Sequence, residues 1–338
     1  MSLDETALVE QLRAIATDPA ARGLNDDVAL LGELVLTHDT IAEGVHYLPS
    51  DPPASVGWKL VAVNLSDLAA KGATPVGALL SLTMAGDGSW EDAFLGGVSA
   101  ACERYALPLL GGDTIALPPG ALRVLGLTAI GRAGAAVPSR AGGRPGDRLW
   151  LAGTLGDAAA GLAALVADPA AAGVLVEAYR RPVPLLAAGA VLAPHASASM
   201  DISDGLLLDA SRLARASGCG AEIDLDTLPL SHAFIAERGG GRAARLAAAT
   251  GGDDYALLFA FPADFDPMLS VCLPSGTNMV AIGRLAEGEG VTLSDAAGPV
   301  ELPERLGHVH HFSQPPAAGD RAGRSGVGDG DGDPASLG

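Results

Sequence analysis

The stretch Lys59–Pro75, KLVAVNLSDLAAKGATP, decides how this chain is read. Leu60, Val63, Leu65 and Leu68 recur at near-helical spacing with alanine filling the gaps, which predicts a helix through its first half. Asn64 and Asp67 interrupt the apolar face of that helix. A carboxylate among apolar neighbours is costly to bury unless something positive meets it. The nearby cations are Lys59 and Lys71, and Lys71 stands four residues past Asp67 at the helix end. A surface Asp67–Lys71 pair is therefore one reading. Repetition favours a second: Asp27, Asp39, Asp113, Asp201 and Asp204 also stand in apolar or glycine-rich surroundings with no base beside them. Acids repeated in this way point to a shared partner, and a divalent cation with oxygen ligands meets that need.

The 338 residues allow two domains, and a hydrophobic share of 49% allows a large core. Aromatics are only 4%, so that core should be finely packed and aliphatic. A formal charge of −19 argues against binding nucleic acid or an anionic membrane through the general field. A polyphosphate ligand would need metal ions to mask the repulsion. Cys102, Cys219 and Cys272 are widely spaced and form no CxxC, which fits a reduced, cytoplasmic setting. The opening MSLDETALVE lacks the basic region and apolar run of a signal peptide. The apolar window Leu155–Val176 is interrupted by Asp157, Asp168 and Pro169, so it reads as alanine-rich helix and not as a membrane span.

Along the chain, Ser2 and Glu5 form a capping box for a helix on Leu8, Leu12 and Ile15. The turn GLNDD (23–27) feeds short strands at 28–31 and 34–38, and a loop then carries Glu43, Gly44 and His46. Beyond the Lys59 helix we expect a strand at 76–84, a helix at 90–105, a short strand into Gly111-Gly112-Asp113-Thr114 and a strand at 123–130. Composition turns rich in Gly, Arg and Pro at 139–147, which puts a domain boundary between 140 and 141. The second half opens with a strand at 148–152 and a helix after Gly153-Thr154-Leu155-Gly156-Asp157. Another helix is expected to begin at Arg180-Arg181-Pro182, and a buried strand at 199–203 to lead into a helix capped by Ser203. Strands near 221–225, 255–261 and 279–284 complete a two-domain α/β (α+β) pattern, 1–140 and 141–312. Residues 313–338 are so poor in apolar side chains that they read as a disordered tail.

Several chemistries are excluded. Neither lysine follows a glycine, so there is no Walker-type loop; no G-x-G-x-x-G follows a predicted strand, and no G-x-S-x-G or HExxH occurs. What remains is a scattered set of aspartates with Gly-rich turns. That set suits metals held jointly with substrate phosphates, because magnesium keeps several non-protein oxygens in its shell.

The segments GLNDDVALL, THDTIAEGVHY, GWKLVAVNLSDLAAKGATP, LLGGDT, RPGDRLWLAGTLGDAAAGL, RRPVP, SMDISDGLLLDASRLARASGCGAEIDLDTLPLS and TGGDDYALLF occur in this order. Together they resemble the thiamine-monophosphate kinase family over about residues 4 to 312. The resemblance implies an aminoimidazole ribonucleotide synthetase-like fold, with the N-terminal domain pairing with its copy in a homodimer. It implies transfer of the γ-phosphoryl of ATP onto thiamine monophosphate, in line, without a phosphoenzyme and with several Mg2+ ions. Position by position it implies metal ligation by Asp27, Thr37, Asp39, Asp67, Asp113, Asp201 and Asp204, and nucleotide contact by Gly112, Arg140 and Ser203. His46 and Asp253 fall at substrate-contacting positions. An arginine in a site crowded with acids also makes chemical sense, since a guanidinium can fork onto phosphate oxygens.

Three positions depart from the family pattern. His38 stands between Thr37 and Asp39 where the family usually has threonine. The GGED turn is GGDD, so Asp253 is one methylene shorter. The C-terminal aromatic motif is replaced by His308-Val309-His310-His311-Phe312, which leaves the residue facing the thiamine rings unassigned. Two other readings stay open: another ATP user of the same fold, or an acidic nucleotide- or ion-binding protein. The absence of cysteine before Cys102 speaks against selenium chemistry.

Overall fold

The computed structural model describes residues 5–309. The capping box at Ser2, the run His310-His311-Phe312 and the tail from Ser313 lie outside the described residues.

In chain order the elements are α1 (Glu5–Arg13), β1 (Ala29–Leu31), β2 (Leu34–Ala42), α2 (Pro53–Ala70), β3 (Thr74–Met84), α3 (Ser89–Tyr105), β4 (Leu109–Ala116) and β5 (Val124–Arg132). The second half adds β6 (Arg148–Ala152), α4 (Asp157–Ala167), α5 (Val174–Arg180), α6 (Leu186–Leu192), β7 (Ala198–Ile202), α7 (Leu206–Ala216) and β8 (Gly220–Asp224). It closes with α8 (His232–Arg238), α9 (Arg242–Thr250), β9 (Ala256–Phe261), α10 (Pro267–Ser270), β10 (Met279–Ala286), β11 (Val291–Asp295) and β12 (Gly298–Val300). Three expectations change. Arg180 ends α5 instead of opening a helix, because the next helix starts only at Leu186. Leu155–Val176 is two helices, broken between Ala167 and Val174. Ser203 does not cap α7: Gly205 stands at the cap, and Asp209 reaches back to accept the Ser203 and Asp204 N–H groups at 3.1 and 3.0 Å.

Helix α2 starts earlier than its apolar pattern announces, because Pro53 sits in the first turn where a missing N–H costs nothing. Apart from Trp58 it is buried from Ser55 to Ala70, as an apolar-all-round helix must be. It ends where Gly72 adopts φ 63°, with the Gly72 N–H bonded to Ala69 O and the Ala73 N–H to Leu68 O, a Schellman closure. Its first half packs on α3, where Gly57 and Gly97 let the backbones meet; a side chain at Gly97 would run into the Ala54 carbonyl. Its last turn, Ala69 and Ala70, joins Trp150, Ala188, Leu192 and Phe259 in a second-domain cluster. One helix is therefore buried by both halves.

The first sheet runs β1-β2-β5-β3-β4, antiparallel except for the parallel β3–β4 pair that α3 connects. Helices α2 and α3 share one core with it. Strand β4 is an edge and is exposed throughout, and Leu79, Leu110, Ile115 and Val124 are all exposed on this sheet. The second sheet runs β12-β11-β8-β10-β6-β9-β7, with β7 and β9 wholly buried. Among the described residues no helix is long and apolar enough to cross a membrane.

Candidate active site

A cleft of about 1020 Å3 is lined by residues of both halves. Of the positions singled out from the sequence, Asp27, Thr37, Asp39, His46, Asp67, Arg140, Asp201, Ser203, Asp204 and Asp253 line it. Asp113 and Gly112 do not. They lie on edge strand β4, where Asp113 pairs with Ser81, three strand positions from the β2 residues of the cleft. At ~4.8 Å per strand that is ~14 Å across the sheet.

The floor is an acid cluster. Carboxylate oxygens of Asp27, Asp67 and Asp201 all lie within 4.8 Å of one another. Asp67 comes from α2, Asp201 from the end of β7, and Asp27 from the turn before β1. Strand β2 adds Thr37 and Asp39, which its two-residue repeat places on one face. The Thr37 hydroxyl donates to Asp67, and Asn64, fully buried, accepts the Asp39 N–H at 3.0 Å while its own amide donates to Leu60 O at 2.9 Å. His38 also borders the cleft, with its ring nitrogens 2.8 Å from Thr128 Oγ1 and 3.2 Å from Thr40 Oγ1.

The charges are unevenly met. Asp27 is paired with Arg140 and, at 2.8 Å, with Lys71. Burial works to raise its carboxyl, but these two cations outweigh it and hold the group well below the ordinary range. Among the described residues Asp39, Asp67 and Asp201 have no basic partner. Burial, with Asp27 and Asp204 nearby, pushes Asp39 up to about 6. Burial and the charges of Asp39, Asp201 and Asp27 raise Asp67 well above 3.8, and burial with Asp27 does the same to Asp201. Three oxygen-rich, mutually repelling side chains without a counter-charge fit a divalent cation, which this donor set of carboxylates and a hydroxyl suits.

The lysines answer the question their positions raised. Lys71 does not pair with Asp67. It is fully buried and holds Asp26 at 2.6 Å, Asp27 at 2.8 Å and the Ser199 carbonyl at 2.7 Å. Lys59, also buried, donates to the His46 carbonyl at 3.0 Å and to Asp253 Oδ2 at 2.8 Å, over the face of Tyr179. The other Asp253 oxygen accepts from Tyr255 OH at 3.0 Å, and both residues hold positive φ, 67° and 50°. The Asp253 N–H donates to Ser203 O at 2.8 Å, so the GGDD turn is clamped to the loop after β7. That loop is itself held by Asp209 and by Arg212, which pairs with Asp204 and Asp209. The His308 N–H donates to Asp204 O at 2.8 Å, bringing the C-terminal end of the described chain to the cleft rim.

Both halves of the chain match models of the AIR synthase related proteins. The model of their N-terminal domain matches residues 25–133 and that of their C-terminal domain residues 144–295. The thiamine-monophosphate kinase of Salmonella typhimurium is 38% identical over 306 residues, covering 87% of this chain and 92% of that protein. The crystal structure of thiamine-monophosphate kinase from Stenotrophomonas maltophilia superposes with a TM-score of 0.70 at 38% identity, covering 87% of this chain and 97% of that one. A structure described as AaThiL complexed with AMPPCP and TMP superposes with a TM-score of 0.78 at 33% identity, covering 91% and 99%. The chain belongs to the thiamine-monophosphate kinase family and is an enzyme of that family.

Proposed function

We propose that this enzyme moves the γ-phosphoryl of ATP directly onto the phosphate of thiamine monophosphate, giving thiamine diphosphate and ADP. The observation that carries the reading is the wall of carboxylates without counter-charge, Asp39, Asp67 and Asp201, facing a cleft that also presents Arg140 and His46. Asp27, Thr37 and Asp204 join those three as the residues that would hold Mg2+. Bound there, several Mg2+ ions would neutralise the phosphate oxygens of both substrates. The protein's own contribution is positioning. Arg140 and the Ser203 loop orient the nucleotide phosphates, and His46 and Asp253 orient thiamine monophosphate at the other end of the cleft. No side chain is needed as a covalent carrier, since the acceptor phosphate oxygen is itself the nucleophile.

The working unit in this proposal is a homodimer built on the exposed apolar face and edge of the first sheet. A second copy seated there would bring Gly112 and Asp113 to the cleft that they do not reach within their own chain. Incubating the purified protein with ATP, thiamine monophosphate and Mg2+ and resolving products by chromatography tests the reaction. Thiamine diphosphate and ADP in equal amounts are expected; no product over a wide range of Mg2+ and K+ concentrations overturns it.

A further inference from the structure

We propose that Lys71 is a built-in cation of the acid cluster, a positioning residue that sets how tightly the cluster takes Mg2+. The inference rests on the reading of Asp39, Asp67 and Asp201 as metal ligands.

The ammonium is fully buried and has three oxygen neighbours, Asp26 Oδ1 at 2.6 Å, Ser199 O at 2.7 Å and Asp27 Oδ2 at 2.8 Å. It donates a hydrogen bond to the Ser199 carbonyl and meets Asp26 and Asp27 as ion pairs, so its charge is matched by two carboxylates. The neighbours come from both halves of the chain. Asp26 has Arg22 as a further partner, and Asp27 has Arg140. The Asp27 side of the cluster therefore carries fixed positive charge, while Asp67 and Asp201, within 4.8 Å of Asp27, have none. A divalent ion entering between them meets three carboxylates, one of which is already screened. Lys71 acts through Asp27. It keeps that carboxylate in place when no metal is present, and it repels a second positive charge when one arrives.

Calorimetric titration of the metal-free full-length protein with Mg2+ alone tests this, with melting temperatures recorded in chelator and in Mg2+. Lys71→Met removes the charge and keeps the bulk. It is expected to melt lower than wild type in chelator and to bind Mg2+ about tenfold or more tighter, the lower bound being the effect of one unit charge about 5 Å from a divalent ion in a water-like dielectric of about 80. Lys71→Met/Asp26→Asn removes one charge of each sign and should return close to wild-type affinity. If the single variant does not fold, Asp26→Asn is compared with the double variant, which must bind Mg2+ tighter. Lower melting temperatures with unchanged Mg2+ affinity make Lys71 a structural residue only and overturn the proposal. A wild-type protein that takes up no Mg2+ overturns the metal reading beneath it, which separates the two failures.

Discussion

Replacing Asp67 by asparagine should produce a protein that is more stable without metal and nearly inactive with it. The carboxylate is buried beside those of Asp27 and Asp201, with oxygens within 4.8 Å. At an effective dielectric constant of about 20, two unit charges at that distance repel by about 3.5 kcal/mol. Asp27 is compensated by Arg140 and Lys71, so the Asp67–Asp201 pair sets the scale. Burial and the neighbouring carboxylates raise both carboxyls, so the charged pair is an upper bound on the repulsion removed. The net gain in chelator at pH 8 should therefore be about 1–3 kcal/mol, within the range found when buried charges are replaced by neutral groups. That corresponds to a few degrees in melting temperature, at about 2–4 °C per kcal/mol. Asparagine keeps an oxygen for the Thr37 hydroxyl, so the local hydrogen bond survives. Mg2+ should reverse the order, because a ligand at a hundred times its Kd adds about 2.7 kcal/mol to the protein that binds it. Turnover should fall by at least about 10²-fold, the cost of removing one group that stabilises developing charge. Scanning calorimetry in chelator and in Mg2+, with chromatographic turnover assays, reads all three effects. A variant that melts lower than wild type in chelator, or gains as much from Mg2+, refutes the assignment of Asp67 as an uncompensated metal ligand.

Lys59→Met removes the donor that fixes Asp253 and the His46 carbonyl. The KM for thiamine monophosphate should rise about tenfold or more, the worth of a hydrogen bond to a charged group, with the KM for ATP within about twofold; equal rises in both would show general damage. If the protein forms the proposed homodimer, inactive Asp113→Asn and Asp67→Asn variants should regain activity when mixed and allowed to exchange subunits, since one site of the mixed dimer then carries neither lesion; no recovery would place Asp113 outside the working site. In chelator the protein should melt lower at pH 8 than at pH 6. Asp39 is raised from 3.8 to about 6 and Asp209 to about 7, so the native state binds more protons than the unfolded chain there. Stability from this source is full below pH 3.8 and lost as pH rises through those values. Saturating Mg2+ should shrink the difference, and a metal-free melting temperature that climbs with pH contradicts the burial argument.

What was legible in the sequence was local. The apolar spacing of Leu60 to Leu68 announces a helix because helices are bound within four residues, and the isolated aspartates announce themselves because burial without a counter-charge is rare. What the neighbourhood does not contain could not be read. Lys71 finds Asp26 and Asp27 through the turn before β1, and Lys59 finds Asp253 nearly two hundred residues away. Asp209 looks like an ordinary helix residue until α7 folds under the Ser203–Asp204 loop; its fifth place after Asp204, with Arg212 three further on, was the available signal. Asp113 carries the same sequence signature as the others, yet its strand sits at the far edge of the sheet.

Those pairings explain why the helix that both halves bury also carries the charges. Lys59, Val63, Asp67 and Lys71 follow one another at intervals of four, a row along a single side of α2. At 1.5 Å per residue the row spans ~18 Å from end to end. One end holds the Asp253 turn, the middle faces Asp201, and the other end reaches Asp26 and Asp27 just past the final turn. Lys71 keeps the helical relation to Asp67, its N–H closing on the Asp67 carbonyl at 3.2 Å, but its ammonium turns instead to Asp26, Asp27 and the Ser199 carbonyl.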